Sequence, residues 1–235
     1  MGESFGPYTL IDDATLMPYI NAVNIACGYH AGDAATMDKT VRLSIEHGLE
    51  IGAHPGYPDL QGFGRRAMDI NPSTLKSMVL YQVGALQAIA RSYGAKLNHV
   101  KVHGALYNHA SKNKDAAYAI VSAVKSLSNS LIVYVPPHSE LLSLATELNV
   151  PFRIEAFIDR KYNNDLSLAS RKIEGSVITD PAKAHKQLTG MVHHGRISTI
   201  DNSSVSLTAD TYCIHGDNPV ALDILQLIHS KQKND

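Results

Sequence analysis

Six short apolar runs, each followed by a helix-length amphipathic segment, constrain this chain more than any other feature. The runs "AVNIAC" (22–27), "LEIGA" (49–53), "LNHVKV" (97–102), "LIVYV" (131–135), "FRIEAF" (152–157) and "TYCIH" (211–215) read as strands. Most are continuously apolar enough to be buried on both faces. Met37, Val41 and Ile45 repeat at four-residue spacing behind Asp33, and Gly48 supplies a stop, which predicts a helix. Asn71-Pro72 opens a second helix, whose apolar positions Leu75, Met78, Val79, Val83 and Leu86 lead to Tyr93 before Gly94. Further helices are expected over 112–127, 138–148, 180–194 and 217–231. "GRISTIDNSSVSLT" (195–208) breaks this rhythm and suggests a small hairpin, and the closing "SKQKND" reads as a loose tail. Strand–helix alternation of this kind implies an α/β fold with a mainly parallel sheet, open or closed into a barrel. At 235 residues, one domain over 1–235 is the expectation.

The charge balance narrows the partners. Lys and Arg number 21 against 22 Asp and Glu, so the positive excess that favours nucleic acid or an acidic membrane surface is absent. A small, modestly charged substrate fits better. Two cysteines form no disulfide framework, no charged-then-apolar signal segment opens the chain, and no run of about 18 apolar residues occurs. A cytoplasmic protein is the expectation. Cys27 and Cys213 sit in or at the end of apolar runs and read as small buried thiols, not nucleophiles.

The histidines carry the functional signal. His30 follows the first strand within a short loop, His54 directly follows the second, His103 the third, and His215 ends the last. In a parallel β/α architecture all strand C-termini emerge on one face, where catalytic loops collect. These four are therefore expected to converge. One histidine near a strand end is more often a hydrogen-bonded structural residue than a catalyst, but four at equivalent places outweigh that reading. His47, His99, His109, His185, His193, His194 and His229 show no such pattern and read as structural or solvated. Carboxylates that would direct the imidazoles are Asp33, Asp59, Glu155, Asp159 and Asp217, of which Asp33 and Asp217 equally suit helix N-caps. Lys101, Arg65, Arg66, Arg160 and Arg171 are candidates to hold a substrate carboxylate or a phosphate. Neither "GxxxxGK[ST]" nor "GxGxxG" occurs, so a nucleotide would not be held by a standard glycine-rich loop.

Five blocks, "NIACGYHAGD", "GAHPGYPDLQGFGRR", "KVHGALYN", "EAFIDRKY" followed by "LASR", and "CIHGDNP", resemble in order the signature blocks of the LamB/YcsF family and cover nearly the whole chain. The resemblance implies a seven-stranded, irregular β/α barrel of the glycoside hydrolase/deacetylase type. It also implies ATP-dependent opening of 5-oxo-L-proline to L-glutamate, performed with separate B and C subunits. A homo-oligomer is compatible with that. On this reading His30, His54, His103 and His215, with Asp33 and Asp59, serve the proton transfers. Arg65, Arg66, Lys101, Glu155, Asp159 and Arg160 bind substrate. A divalent metal would arrive as Mg with ATP or sit at the histidine cluster.

The chain also departs from the family pattern. Family members begin with a strand bearing Asp-Leu-Asn-x-Asp-x-Gly-Glu, whereas only "GES" follows Met1 here, so the first barrel strand is expected to be missing, with roughly 8–15 further residues encoded upstream. Val102 stands where the family has proline. Leu166 stands where glycine usually follows Asp165, and would strain a turn that needs a positive φ. Two other classes stay open: a metal-dependent carbohydrate deacetylase or hydrolase with His30 and His54 as ligands, and a non-catalytic subunit that binds substrate.

Overall fold

A computed structural model describes residues 1–232 and divides the chain into two compact units: Met1–Val135 with Ser139–Phe152, and Pro136–His138 with Arg153 onward. In the first unit a short helix α1 (Asp13–Leu16) and a 3-10 turn (Met17–Tyr19) precede the alternation. Then follow β1 (Ala22–Ala26), α2 (Ala34–Glu46), β2 (Glu50–His54), α3 (Pro72–Ser92), β3 (His99–Val100), α4 (Gly104–Lys112), α5 (Lys114–Leu127), β4 (Ile132–Val135) and α6 (Glu140–Glu147). The strands are hydrogen-bonded in the order β1-β2-β3-β4, all parallel, with Ala26 level with His54 and Gly52 with His99.

Local chemistry sets the boundaries of these elements. The Asp33 carboxylate accepts the Thr36 N–H at 2.8 Å and starts α2, and Asn71 accepts from Ser73 and Thr74 ahead of Pro72 to start α3. A cap of this kind contributes about 1 kcal/mol. Val23, Ile25, Ile51, Ala53, Val100 and Val133 are all buried, as expected of strands covered on both faces. The expected helix over 112–127 is α5, and a further helix, α4, lies ahead of it where none was expected. Asn113 breaks the run and caps α5 through Ala116 N–H (2.9 Å), while α4 opens directly after His103. The polar segment 104–112 buries only Leu106, Tyr107 and Ala110, too narrow a stripe to announce a helix by periodicity. At the outer edge of β1, the Met1 amino group donates to Asn24 O (3.1 Å) and Met1 O accepts from Ala26 N–H (3.0 Å).

In the second unit β5 (Phe152–Phe157) leads to α7 (Pro181–His194), the antiparallel hairpin β6 (Arg196–Ser198) and β7 (Ser204–Ser206), then β8 (Thr211–Cys213) and α8 (Ala221–Gln232). β5 and β8 pair in parallel, with Phe157 level with Cys213. The hairpin agrees with the expectation from 195–208. The tail does not, because Ser230 to Gln232 continue α8, and 233–235 lie outside the described residues. Leu166 adopts φ 62° in a turn closed by Leu166 N–H to Asn163 O (3.0 Å), the left-handed backbone anticipated where the family has glycine.

Candidate active site

Three of the four strand-end histidines meet in the first unit. β2 ends in His54, β3 leads through Lys101 and Val102 to His103 at the head of α4, and the loop after β1 carries His30. The His30 and His103 rings stack 3.8 Å apart at 4°, and His54 meets both edge-on at 5.5 and 5.0 Å. All three are buried. His54 Nδ1 lies 2.5 Å from Lys101 O. A carbonyl only accepts, so Nδ1 carries the proton and Nε2 keeps the basic lone pair. Burial, joined by the charges of His103, Lys101 and His30, holds the His54 pKa well below its ordinary value. Burial, with the N-terminal ammonium and Arg65 adding repulsion, pushes His30 down to about 3. Both imidazoles are therefore neutral near pH 7. Neither ring nitrogen of His30 has a hydrogen-bond partner among the described residues, which is unusual for a group so buried.

The 55–66 loop closes over this cluster. Phe63 sets its ring edge-on to His30 (5.8 Å) and His103 (5.3 Å), and Arg65 places its guanidinium 4.9 Å from the Phe63 centroid. Phe63 and Gly64 both have positive φ, 53° and 63°. At Gly64 a side chain is also sterically barred, since a β-carbon would lie 2.7 Å from both His103 Nδ1 and His30 Cβ. The two adjacent arginines divide their tasks. Arg66 turns back on Asp59, with Nε 2.9 Å from Oδ1 and Nη2 on the same oxygen, while Asp59 also accepts the Gly62 N–H at 3.0 Å. The Arg66 hydrogen bond holds the Asp59 carboxyl below the usual carboxylate range. The pair braces the loop. Arg65 instead borders a surface groove of about 700 Å³, lined also by Met68, Asp69, Asn108 and His109. His109 is held by the Tyr57 hydroxyl at 2.7 Å.

Asp33 acts as the α2 cap, its second oxygen accepting the Gly6 N–H at 2.6 Å. Lys101 is buried beside His54, where its charge depresses that ring's pKa. His99, read as structural, stacks on Tyr134 at 4.0 Å with its ring nitrogens beside Asn98 Oδ1 and Asn24 Oδ1.

The second unit holds the other candidates. His215 Nδ1 donates to Asp159 at 2.9 Å, its backbone N–H reaches the same carboxylate at 3.1 Å, and Asn218 Nδ2 adds a third donor at 3.2 Å. Burial opposes the Asp159 charge, but His215 and Asn218 outweigh it and hold the carboxyl below its ordinary range. His215 stacks on Phe157 at 5.1 Å. Glu155 and Arg160 are buried, and Arg160 donates to Ala169 O at 2.6 Å. Arg171 and Asp217 approach to 3.8 Å. Gln187 of α7 donates to Phe157 O and Arg160 O, both at 2.8 Å, pinning the backbone on either side of Asp159.

Phe63, Asn218, Gln82 and Gln187 were not among the residues singled out in the sequence. Only the glycines flanking Phe63 and the "GDNP" block gave any hint of them. Among the described residues no group of three or more His, Cys, Asp or Glu side chains is arranged to hold a metal ion. No described helix is long and apolar enough to cross a membrane.

Known proteins resemble this chain over nearly its whole length. The chain is 44% identical to the A subunit of 5-oxoprolinase from Heliobacterium modesticaldum over 230 residues, 98% of this chain and 91% of that protein. It is 45% identical to the same-named protein of Pyrococcus horikoshii over 228 residues (97% and 89%). The crystal structure of the lactam utilization protein from Thermus thermophilus superposes with a TM-score of 0.94 at 38% identity, covering 100% of this chain and 94% of that one. The LamB/YcsF family pattern matches residues 1–235 from end to end. On that full-length match, and with relatives at 44% and 45% identity over nearly the whole chain, this protein belongs to the LamB/YcsF family.

Proposed function

We propose that this chain is the A subunit of an ATP-dependent 5-oxoprolinase, which opens 5-oxo-L-proline to L-glutamate together with B and C subunits. The observation that carries the reading is the buried histidine cluster, in which His54 offers a basic Nε2 because Lys101 O holds its Nδ1 proton. Relatives that bear the name of the 5-oxoprolinase A subunit, at 44% and 45% identity over nearly the whole chain, support the substrate class.

A lactam resists hydrolysis because amide resonance removes carbonyl electrophilicity. Opening it requires a C–O bond from water to the carbonyl carbon, cleavage of the C–N bond, and a proton on the departing nitrogen. On this reading His54 Nε2 takes the proton of the attacking water. His103 and His30, stacked beside it, pass that proton on to the departing ring nitrogen. Arg65 and Lys101 face the substrate carboxylate or phosphoryl oxygens. ATP, when bound, would supply the phosphoryl group that activates the carbonyl, with ADP leaving on transfer and inorganic phosphate released on hydrolysis; this chain offers those cations but no phosphate loop. In the second unit the Asp159 carboxylate orients the His215 ring through Nδ1. A seven-stranded barrel-like arrangement and a cytoplasmic setting belong to the same proposal.

The test is L-glutamate formation from 5-oxoproline and ATP by the chain with its B and C partners. Turnover that requires all three proteins and both substrates is expected. A complex whose ATP hydrolysis is indifferent to 5-oxoproline overturns the reading.

A further inference from the structure

We infer that Gln82 on α3 is a positioning residue that holds the peptides after His54 in register with all three histidines of the cluster, an inference that rests on the proposed reading of that site. The stretch 54–56 touches every member. His54 ends β2, Pro55 O accepts the His103 N–H at 2.8 Å, and Gly56 packs so closely on His30 that an added β-carbon would lie 2.8 Å from Nδ1. Gln82 is completely buried and engages both faces of the Gly56 peptide groups. Its Oε1 accepts the Gly56 N–H at 2.9 Å, and its Nε2 donates to Gly56 O at 3.0 Å and to Met78 O at 3.2 Å.

Core packing alone does not ask for glutamine here. Methionine or leucine would fill a similar volume without burying an amide, and burying an amide is unfavourable unless its hydrogen bonds are made. What the amide adds is a fixed place for one glycine. Gly56 can then act as the floor beneath His30, while Pro55 anchors the backbone of His103 and His54 keeps its Nδ1 on Lys101 O. A shift of Gly56 would move the His30 ring and the His103 N–H together, and misplacement of reacting groups by about 1 Å is worth on the order of 10²-fold in rate.

The test uses two variants in the assembled complex. Gln82→Met removes the amide at nearly constant volume. It is expected to lower kcat about 10²-fold with KM within about threefold, in a chain whose circular dichroism is that of the wild type. A kcat within about twofold of wild type, or a loss that only follows the unfolded fraction, overturns the inference. Should Gln82→Met not fold, Gln82→Glu decides. The introduced carboxyl accepts the Gly56 N–H in either state but donates to Gly56 O only when protonated, so its kcat relative to wild type should rise as pH falls. A flat ratio overturns the inference. A readout independent of turnover separates this from failure of the functional reading: in imidazole 1H–15N spectra of the isolated chain, either variant should move the His30 and His103 resonances and leave those of His185 and His229 in place. If the wild-type complex does not consume 5-oxoproline, the functional reading fails and these spectra alone decide, with unmoved His30 and His103 resonances overturning the role of Gln82.

Discussion

A backbone carbonyl, not a carboxylate, selects the tautomer of His54, and that distinguishes it from His215, whose Nδ1 rests on Asp159. The first arrangement leaves a neutral base in a buried place, and the second sets the ring against a buried carboxylate that orients it. His54→Ala and His103→Ala are each expected to lower turnover by about 10² or more with the fold intact, as befits positioned acid/base groups. His47→Ala and His229→Ala serve as near-neutral controls, and equal effects at all four positions in steady-state kinetics would count against the cluster. His30 makes a prediction about stability. Its pKa falls from 6.5 to about 3 on folding, so between those values the unfolded chain binds more protons than the folded one. Stability is therefore lost as pH drops through about 6.5 and the loss is complete below about 3, a contribution on the order of a few kcal/mol. Melting temperatures across that window should fall less steeply for His30→Gln than for the wild type.

Elements place these residues through glycines and caps whose effects can be told apart. Gly64 sits at positive φ between two imidazoles with no room for a β-carbon, whereas Gly84, inside α3, has nothing within 4 Å of one. Gly64→Ala is expected to destabilise by about 1–3 kcal/mol and to depress turnover, since the loop over His30 and His103 must shift. Gly84→Ala should instead stabilise by about 0.5–1 kcal/mol by removing backbone entropy from the unfolded chain. Urea denaturation of the two variants reads both signs in one experiment. Leu166 illustrates an element that tolerates strain: a left-handed leucine costs about 1–2 kcal/mol, and its nearly complete burial returns a similar amount. The start of α2 at Asp33 and of α3 at Asn71-Pro72 was legible in the sequence, because a cap acts within one turn of its own residue. The existence of α4 over 104–112 was not, since its buried stripe is created by what packs on it.

For the whole molecule, the proposed reaction makes the chain one part of a larger catalyst. The isolated chain is expected to hydrolyse ATP negligibly and to gain activity only with the B and C proteins; a coupled assay of released phosphate checks this, and robust turnover by the chain alone would contradict it. One domain was expected over 1–235, and residue contacts group the described chain into two compact units, each with its own parallel strand pairing. By itself the sequence determined the strand–helix order, the main helix starts, the hairpin and the strand-end placement of four histidines. These follow from periodicity and capping, which act over a few residues. Only the tertiary structure decided that Arg66 braces Asp59 while Arg65 faces the groove, that His54 is basic at Nε2, and that Gln82 holds Gly56. The last two bonds join residues 47 and 26 positions apart. No local pattern specifies such pairs, because burial and hydrogen-bond partners are properties of the packed chain.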